Sequence, residues 1–278
     1  MMKTWRELNL MARIGAFAIA FMVLLAIFAP IISPHDPNAQ DLSRRMTGPS
    51  SQNLLGRDEF GRDILSRIIY GSRISLSVGL LVTSISMTLG VAIGVSVGYF
   101  GGWIEELTMR LVDIVLAFPG ILLAIMLMAV LGQSLFNVVI ALCLTGWAPY
   151  ARLARGESLS IREREYVLAA RALGASGYRI ISRHLLPNIM SPIVVKATLG
   201  MAGVIVAEAA LSFLGLGVRP PTPSWGAMLN SARAYILVTP HLVIFPGVAI
   251  MLVVLSLNLL GDGLRDVLDP RHRARADA

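Results

Sequence analysis

The sequence predicts an all-α integral membrane protein with six transmembrane helices, and three observations carry that prediction. Of its 278 residues, 55% are hydrophobic and only 15% are charged, against about 25% charged in ordinary globular domains. The apolar residues are gathered into long blocks. Ile74 to Ile104 and Ile114 to Ala151 contain no Asp, Glu, Lys, Arg or His, and shorter blocks run from Ile14 to Ile32 and from Leu242 to Gly261. The basic residues fall mainly between the blocks, as they do where membrane orientation is encoded. A bilayer core of about 30 Å needs roughly 20 helical residues, so each block can cross at least once. Buried helices of a large soluble core would need an amphipathic outer layer, which this chain lacks.

The first span is expected from about Ala16 to Ile32. It is longer than the core of a cleaved signal peptide, with Pro30 where cleavage would fall, so it reads as an uncleaved anchor. The second is expected from Ile74 to Tyr99. Before it, Phe60, Ile64, Leu65, Ile68 and Ile69 recur at helical spacing, with Arg62, Asp63, Ser66 and Arg67 opposite. That pattern predicts an amphipathic helix on the membrane surface or on neighbouring helices, or one that feeds the second span. The Ile114–Ala151 block is too long for one crossing. Gly132, Gln133 and Ser134 divide it into a hairpin of two spans. The fifth is expected after Pro192, ending near Leu216, and the sixth from Leu242 to Leu260.

With the N-terminus inside, sixteen of the 24 basic residues lie on the inner side and eight on the outer. The expectation is a multi-pass inner-membrane protein with both termini cytoplasmic. Three regions follow: an anchor with an extracytoplasmic amphipathic segment (1–72), a transmembrane core (73–262) and a basic cytoplasmic tail (263–278). The net charge of +7 then serves orientation and contact with membrane lipid, not nucleic-acid binding.

The sequence holds little chemistry. Cys143 is the only cysteine, so an internal disulfide and a cysteine-based metal site are both excluded. His35, His184, His241 and His272 are scattered, and no metal site or cofactor site is expected. No G-x-x-x-x-G-K-[ST] occurs, so any ATP hydrolysis must come from a partner. No catalytic cluster stands out, and the chain is not expected to be an enzyme. Arg110 and Asp113 have the spacing of a local ion pair.

One carboxylate, Glu208, lies deep in an apolar run. Intramembrane carboxylates are costly and usually face a polar interior or a pathway. Two readings stay open: a position on the translocation path, or a structural role with Ser212 one turn on.

The stretch from Arg152 to Pro192 contains EREYVLAARALGASGYRIISRHLLPN. Loops this long are usually functional or disordered, and the helical periodicity argues against disorder. Tyr166, Ala169, Ala170 and Leu173 share one helical face with Val167 at its edge. Arg164 and Arg171 take the other. Gly174 and Gly177 allow a change of direction, and a second helix is expected from Tyr178 to Leu186, stopped by Pro187. A short helix with a small-residue face suits docking in a groove of another protein. The alternative is a loop helix that packs on its own domain.

This segment resembles the conserved cytoplasmic loop of ABC-importer permeases: Glu-Ala-Ala, three residues, Gly, then an Ile/Leu-Pro pair. Ala169, Ala170, Gly174, Leu186 and Pro187 fit, while Leu168 stands in place of the glutamate. Glu165 adjoins it and is a candidate to fill that charge role in part. NLLGRDEFGRDILSRIIYGSRISL, YFGGWIEELTMRLVDIVLAFP, EAALSFLGLGVRPPTPSWG and NLLGDGLRDVLDP resemble, in order, the dipeptide/oligopeptide/nickel permease family. The extra N-terminal span is similar to its C-type subunit.

The resemblance implies the type I ABC importer permease fold and a second homologous permease subunit around one path. It also implies two cytoplasmic ATP-binding subunits gripping the loops, and an extracytoplasmic substrate-binding protein. The substrates it implies are di- or oligopeptides, with glutathione-like peptides and nickel chelates as alternatives. A different class, an ion-coupled secondary transporter using Glu208, would show internal repeats, and none is found. An intramembrane enzyme would need a catalytic cluster.

Overall fold

The computed structural model describes residues 9–268, so Lys3, Arg6 and the tail beyond Leu268 lie outside the described residues. Helix α1 (Leu10–Ile27) is capped by Asn9, whose side-chain oxygen accepts from Ala12 N at 2.8 Å. A single helical turn, Ala29–Ile32, and an irregular stretch lead to α2 (Ile64–Phe100). Helices α3 (Gly102–Ala117) and α4 (Gly120–Leu131) meet at 90°. Then follow α5 (Leu135–Arg162), α6 (Glu165–Ala172), α7 (Gly177–Phe213), α8 (Trp225–Ala232) and α9 (His241–Leu268).

Five helices, α1, α2, α5, α7 and α9, are each long and apolar enough to cross a membrane, and the bent pair α3–α4 makes a sixth if counted as one. The third span is therefore not the straight rod expected from Ile114. Phe118 is extended (φ −88°, ψ 141°) before Pro119, as the pre-proline clash requires. The break expected at 132–134 is present, with Ser134 accepting from Asn137 N at 3.0 Å.

Helix α2 begins at Ile64, ten residues before the span expected from sequence. No separate amphipathic helix forms, so the helix that merely feeds the second span is what the structure contains. The polar face also turns inward. Arg62, Asp63 and Arg67 are 4–5% exposed, whereas Phe60 is 43% exposed. They are satisfied by groups of the preceding stretch: Arg62 Nε donates to Asp58 Oδ2 at 2.6 Å, and Arg67 Nη1 donates to Pro37 O at 2.9 Å. Asn53 Nδ2 donates to Asp63 Oδ1 at 2.7 Å. Paired and hydrogen-bonded charges can be buried where lone ones cannot.

Two further boundaries differ. The fourth span continues to Arg162, well past Ala151. Pro187 does not stop the helix before it, and Pro192 lies inside α7 rather than ahead of it. A widened π turn, Ile181–Leu185, takes up the proline, and Asn188 Nδ2 donates to His184 O at 2.6 Å. Such turns let a rod continue through a residue that would otherwise break it.

Packing centres on α2. Gly90, Gly94 and Gly98 form a ladder at i, i+4 and i+8, where added Cβ atoms would collide with the carbonyls of Trp147, Ala151 and Arg155 on α5. Small residues at this spacing let two membrane helices touch along their backbones. Gly79 meets Ile205 of α7, and Gly71 meets Trp225 of α8.

Candidate functional site

The stretch from α6 into the first half of α7 is held by one apolar cluster. Val167, Ile180, Leu185, Ile189 and Ile193 pack with Val91 and Val95 of α2 and with Ala154 and Ile161 of α5. Val167, expected at the edge of a face, is the fully buried anchor of α6. The face expected to dock stays open: Tyr166 is 43% exposed and Leu173 is 88% exposed, with Ala169 between them and Ala170 partly covered. Gly174 ends the helix at φ +81°. Ala175 N donates to Ala170 O and Gly174 N to Arg171 O, both at 3.0 Å, which is a left-handed glycine stop. The Arg171 guanidinium lies 5.5 Å from the Tyr99 ring centre.

Leu168 is exposed, and neither Arg164 nor Glu165 makes an ion pair among the described residues. The adjoining Glu165 therefore does not fill the missing glutamate's charge role within this chain. Leu186 is half-buried and Pro187 exposed.

The same end of the molecule carries a set of ion pairs between α3 and α5. Arg155 Nη2 lies 2.6 Å from Glu105 Oε1, and Arg152 pairs with Asp113. Arg110 pairs with Glu106, not with Asp113 as its spacing suggested. Arg162 Nη1 donates to Gly98 O at 3.0 Å. Asn9 Nδ2 donates to Asp266 Oδ2 at 3.3 Å, so the start of α1 and the end of α9 also meet.

Glu208 is fully buried. Its Oε1 accepts from Ser212 Oγ at 2.8 Å, as expected, and its Oε2 accepts from Ser75 Oγ of α2 at 3.0 Å. Ser224, whose hydroxyl caps α8, also faces the carboxylate. Three elements thus converge on one side chain, and Glu208 is not among the residues lining the half-open cavity beside it.

That cavity, about 250 Å³, lies between α2, α4, α5 and α7. Thr83, Ser86, Thr145, Tyr150, Lys196 and Gly203 are among its walls, and none of its lining comes from α1, α8 or α9. The sequence reading missed this set. Its one available signal was Lys196, one of only two lysines and the one inside an apolar helix.

Residues 90–274 match the family described as "Binding-protein-dependent transport system inner membrane component". Residues 4–50 match the "N-terminal TM domain of oligopeptide transport permease C". The chain is 45% identical over 276 residues to the dipeptide transport system permease protein DppC of Alkalihalophilus pseudofirmus, covering 97% of this chain and 91% of that one. It is 46% identical over 270 residues to the glutathione transport system permease protein GsiD of Escherichia coli, covering 96% and 89%. In fold it resembles a chain from inward-facing structures of the MetNI methionine ABC transporter, with a TM-score of 0.60 and 18% identity over 74% of this chain and 98% of that one. The family leaves the ion-coupled alternative without support. The chain therefore belongs to the inner membrane components of binding-protein-dependent transport systems, as a multi-pass ABC-importer permease subunit rather than an enzyme.

Proposed function

We propose that this permease imports di- or oligopeptides, glutathione-like peptides included, as one of two homologous permease subunits around a shared path. Two cytoplasmic ATP-binding subunits grip the segment from Arg152 to Pro192, and an extracytoplasmic binding protein delivers substrate. Relatives named for dipeptide and glutathione transport support the substrate class. The cavity's walls, drawn from one side of the helix array, support a second permease completing the path. In this reading both termini are cytoplasmic, at the end that carries α6. Residues 1–72 are the anchor and outer segment, 73–262 the transport core and 263–278 the tail.

The observation that carries the coupling role is the open face of α6 beside Gly174. Tyr166, Ala169 and Leu173 are exposed, and Ala170 is close to the surface, which allows close approach of a partner's groove. Arg171 flanks that face. Leu186 and Pro187 follow the π turn, from which α7 runs unbroken to the cavity wall. A shift of α6 is thereby passed along a rigid rod, and the coupling equals the difference in docking free energy between states. Glu208 in this reading joins α2, α7 and α8 and is not on the path.

Gly174→Pro tests the lever, because proline is locked near φ −65° and cannot adopt +81°. The variant is expected to insert and to bind partner subunits while hydrolysing ATP without peptide uptake. Normal uptake by this variant would overturn the lever. Failure of the wild-type chain to co-purify with ATP-binding subunits would overturn the partner assignment.

A further inference from the structure

Among the described residues, the four longest helices are α2, α5, α7 and α9. Three of them carry internal prolines: Pro149 in α5, Pro187 and Pro192 in α7, and Pro246 in α9, and α7 also holds the π turn. Prolines and π turns are where long helices bend. Helix α2 has neither in its 37 residues, which at 1.5 Å per residue make an uninterrupted rod of about 55 Å.

The Phe100 end of this rod lies against the docking segment. The Arg171 guanidinium of α6 stands over the Tyr99 ring at 5.5 Å, within cation–π range. Tyr99 and Phe100 meet edge to face, with 5.0 Å between ring centres. A Cβ added to Gly177, the first residue of α7, would lie 3.0 Å from Tyr99 Cε1 and 3.3 Å from Phe100 Cε1. The two rings therefore fill the crook between α6 and α7, and the bare Gly177 makes room for them. Tyr99 also packs on the cluster that holds Val95, Val167 and Ile180. Helix α6 is thus touched near both ends. Its Tyr166 ring lies 6.0 Å from His184 in the π turn of α7, and its Arg171 meets Tyr99 of α2.

At the Ile64 end, α2 is built into the segment before it. Ile64 N donates to Gly56 O at 3.1 Å, and Asp63 Oδ2 accepts from Ser66 N at 2.8 Å. Arg62 and Arg67 close on Asp58, and Trp225 Nε1 of α8 donates to Ile68 O at 3.0 Å. We propose that Tyr99 is a positioning residue, through which α2 carries movement of α6 to the segment before α2. The proposal rests on the lever reading above and adds α2 to α7 as a second rod. It makes α2 the element whose position both ends bias, as coupling between distant sites requires.

The test uses the complete importer with Cys143→Ser and spin labels at two exposed positions, Leu54 before α2 and Gln133 between α4 and α5. Trapping ATP is expected to change the label separation. Tyr99→Leu should abolish most of that change and lower peptide uptake per ATP at least about fivefold, with melting temperature and capture of ATP-binding subunits unaltered. Tyr99→Phe, which keeps the ring, should behave as wild type. Gly177→Ala, which pushes on both rings from the α7 side, should act as Tyr99→Leu does. Labels that do not respond to ATP, or respond fully in Tyr99→Leu and Gly177→Ala, overturn the role of α2. Equal loss in the Phe and Leu variants overturns the ring contact. A lower melting temperature for Tyr99→Leu marks core packing and overturns the positioning role. The lever reading fails separately, by normal uptake in Gly174→Pro.

Discussion

The segment before α2 and the segment between α5 and α7 are both rich in arginine, yet they handle charge in opposite ways. Before α2, Asp58 accepts from Arg62 Nε at 2.6 Å and lies 3.5 Å from Arg67 Nε, with all three residues about 5% exposed. Asp58 Oδ1 also accepts from the backbone of Phe60 and Arg62, each at 2.9 Å. From α6 to the start of α7, Arg164 and Arg171 are exposed, and so are the side chains of Leu173 and Tyr178, at 88% and 82%. The first segment is complete within one chain. The second leaves apolar surface uncovered at a glycine stop, as a partner-facing element does. The difference separates variants that cost stability from variants that cost association.

The largest effect is expected from Asp58→Ala, which removes the carboxylate shared by two buried guanidinium groups and leaves Arg62 only Glu59 and Arg67 only the Pro37 carbonyl. Losing one partner of a buried pair costs about 3–5 kcal/mol, so thermal unfolding in detergent should fall sharply. Capture of ATP-binding subunits by the surviving folded protein should be unchanged. Next, Glu208→Leu removes the acceptor of Ser75 and Ser212 and should cost about 1–3 kcal/mol. Glu208→Gln should retain both stability and uptake; loss of uptake without loss of stability would instead put the carboxylate on the path.

Leu173→Glu probes the other segment. At an exposed site it should change stability by no more than about 0.5 kcal/mol, while weakening capture of ATP-binding subunits about tenfold, or about 1.4 kcal/mol. A drop in melting temperature with normal capture would reverse the assignment of the two segments.

The smallest effect concerns Glu59. Burial, and then the neighbouring Asp58 charge, push its carboxyl above the ordinary glutamate value. A raised value means the folded chain favours the protonated form. The resulting stabilisation is complete below the ordinary value and is lost as pH rises through the raised one. Glu59→Gln should flatten the melting profile over that window by about 2 °C at most.

Part of this contrast was legible from residues alone. The EREYVLAARALG pattern places Tyr166, Ala169 and Leu173 on one face, and that face is open in the structure. Gly174 takes the left-handed backbone that its position called for. The segment before α2 was misread, because helical periodicity separates apolar from polar residues without saying whether the polar ones meet water or each other. Arg62 and Arg67 look like a solvated face until Asp58, Pro37 O and the start of α2 are brought around them. The Pro187 boundary failed for a related reason: a proline breaks a regular turn, and only the surrounding packing decides whether a π turn absorbs it.

Sequence by itself determined the membrane class, the apolar stretches that supply the crossings though not where their helices begin and end, the lack of a G-x-x-x-x-G-K-[ST] motif and the shared face of Tyr166, Ala169 and Leu173. These follow from hydrophobicity, period and local backbone chemistry, which act over one or two turns. Tertiary structure alone decided the 90° bend in the third span, the partners of Asp113 and Glu208, and the cavity where Thr83, Ser86 and Lys196 meet. Lys196 lies more than a hundred positions from Thr83 and Ser86 in the chain. Only the close approach of α2 to its neighbours, along glycine faces that no local pattern assigns to a partner, brings them to one wall.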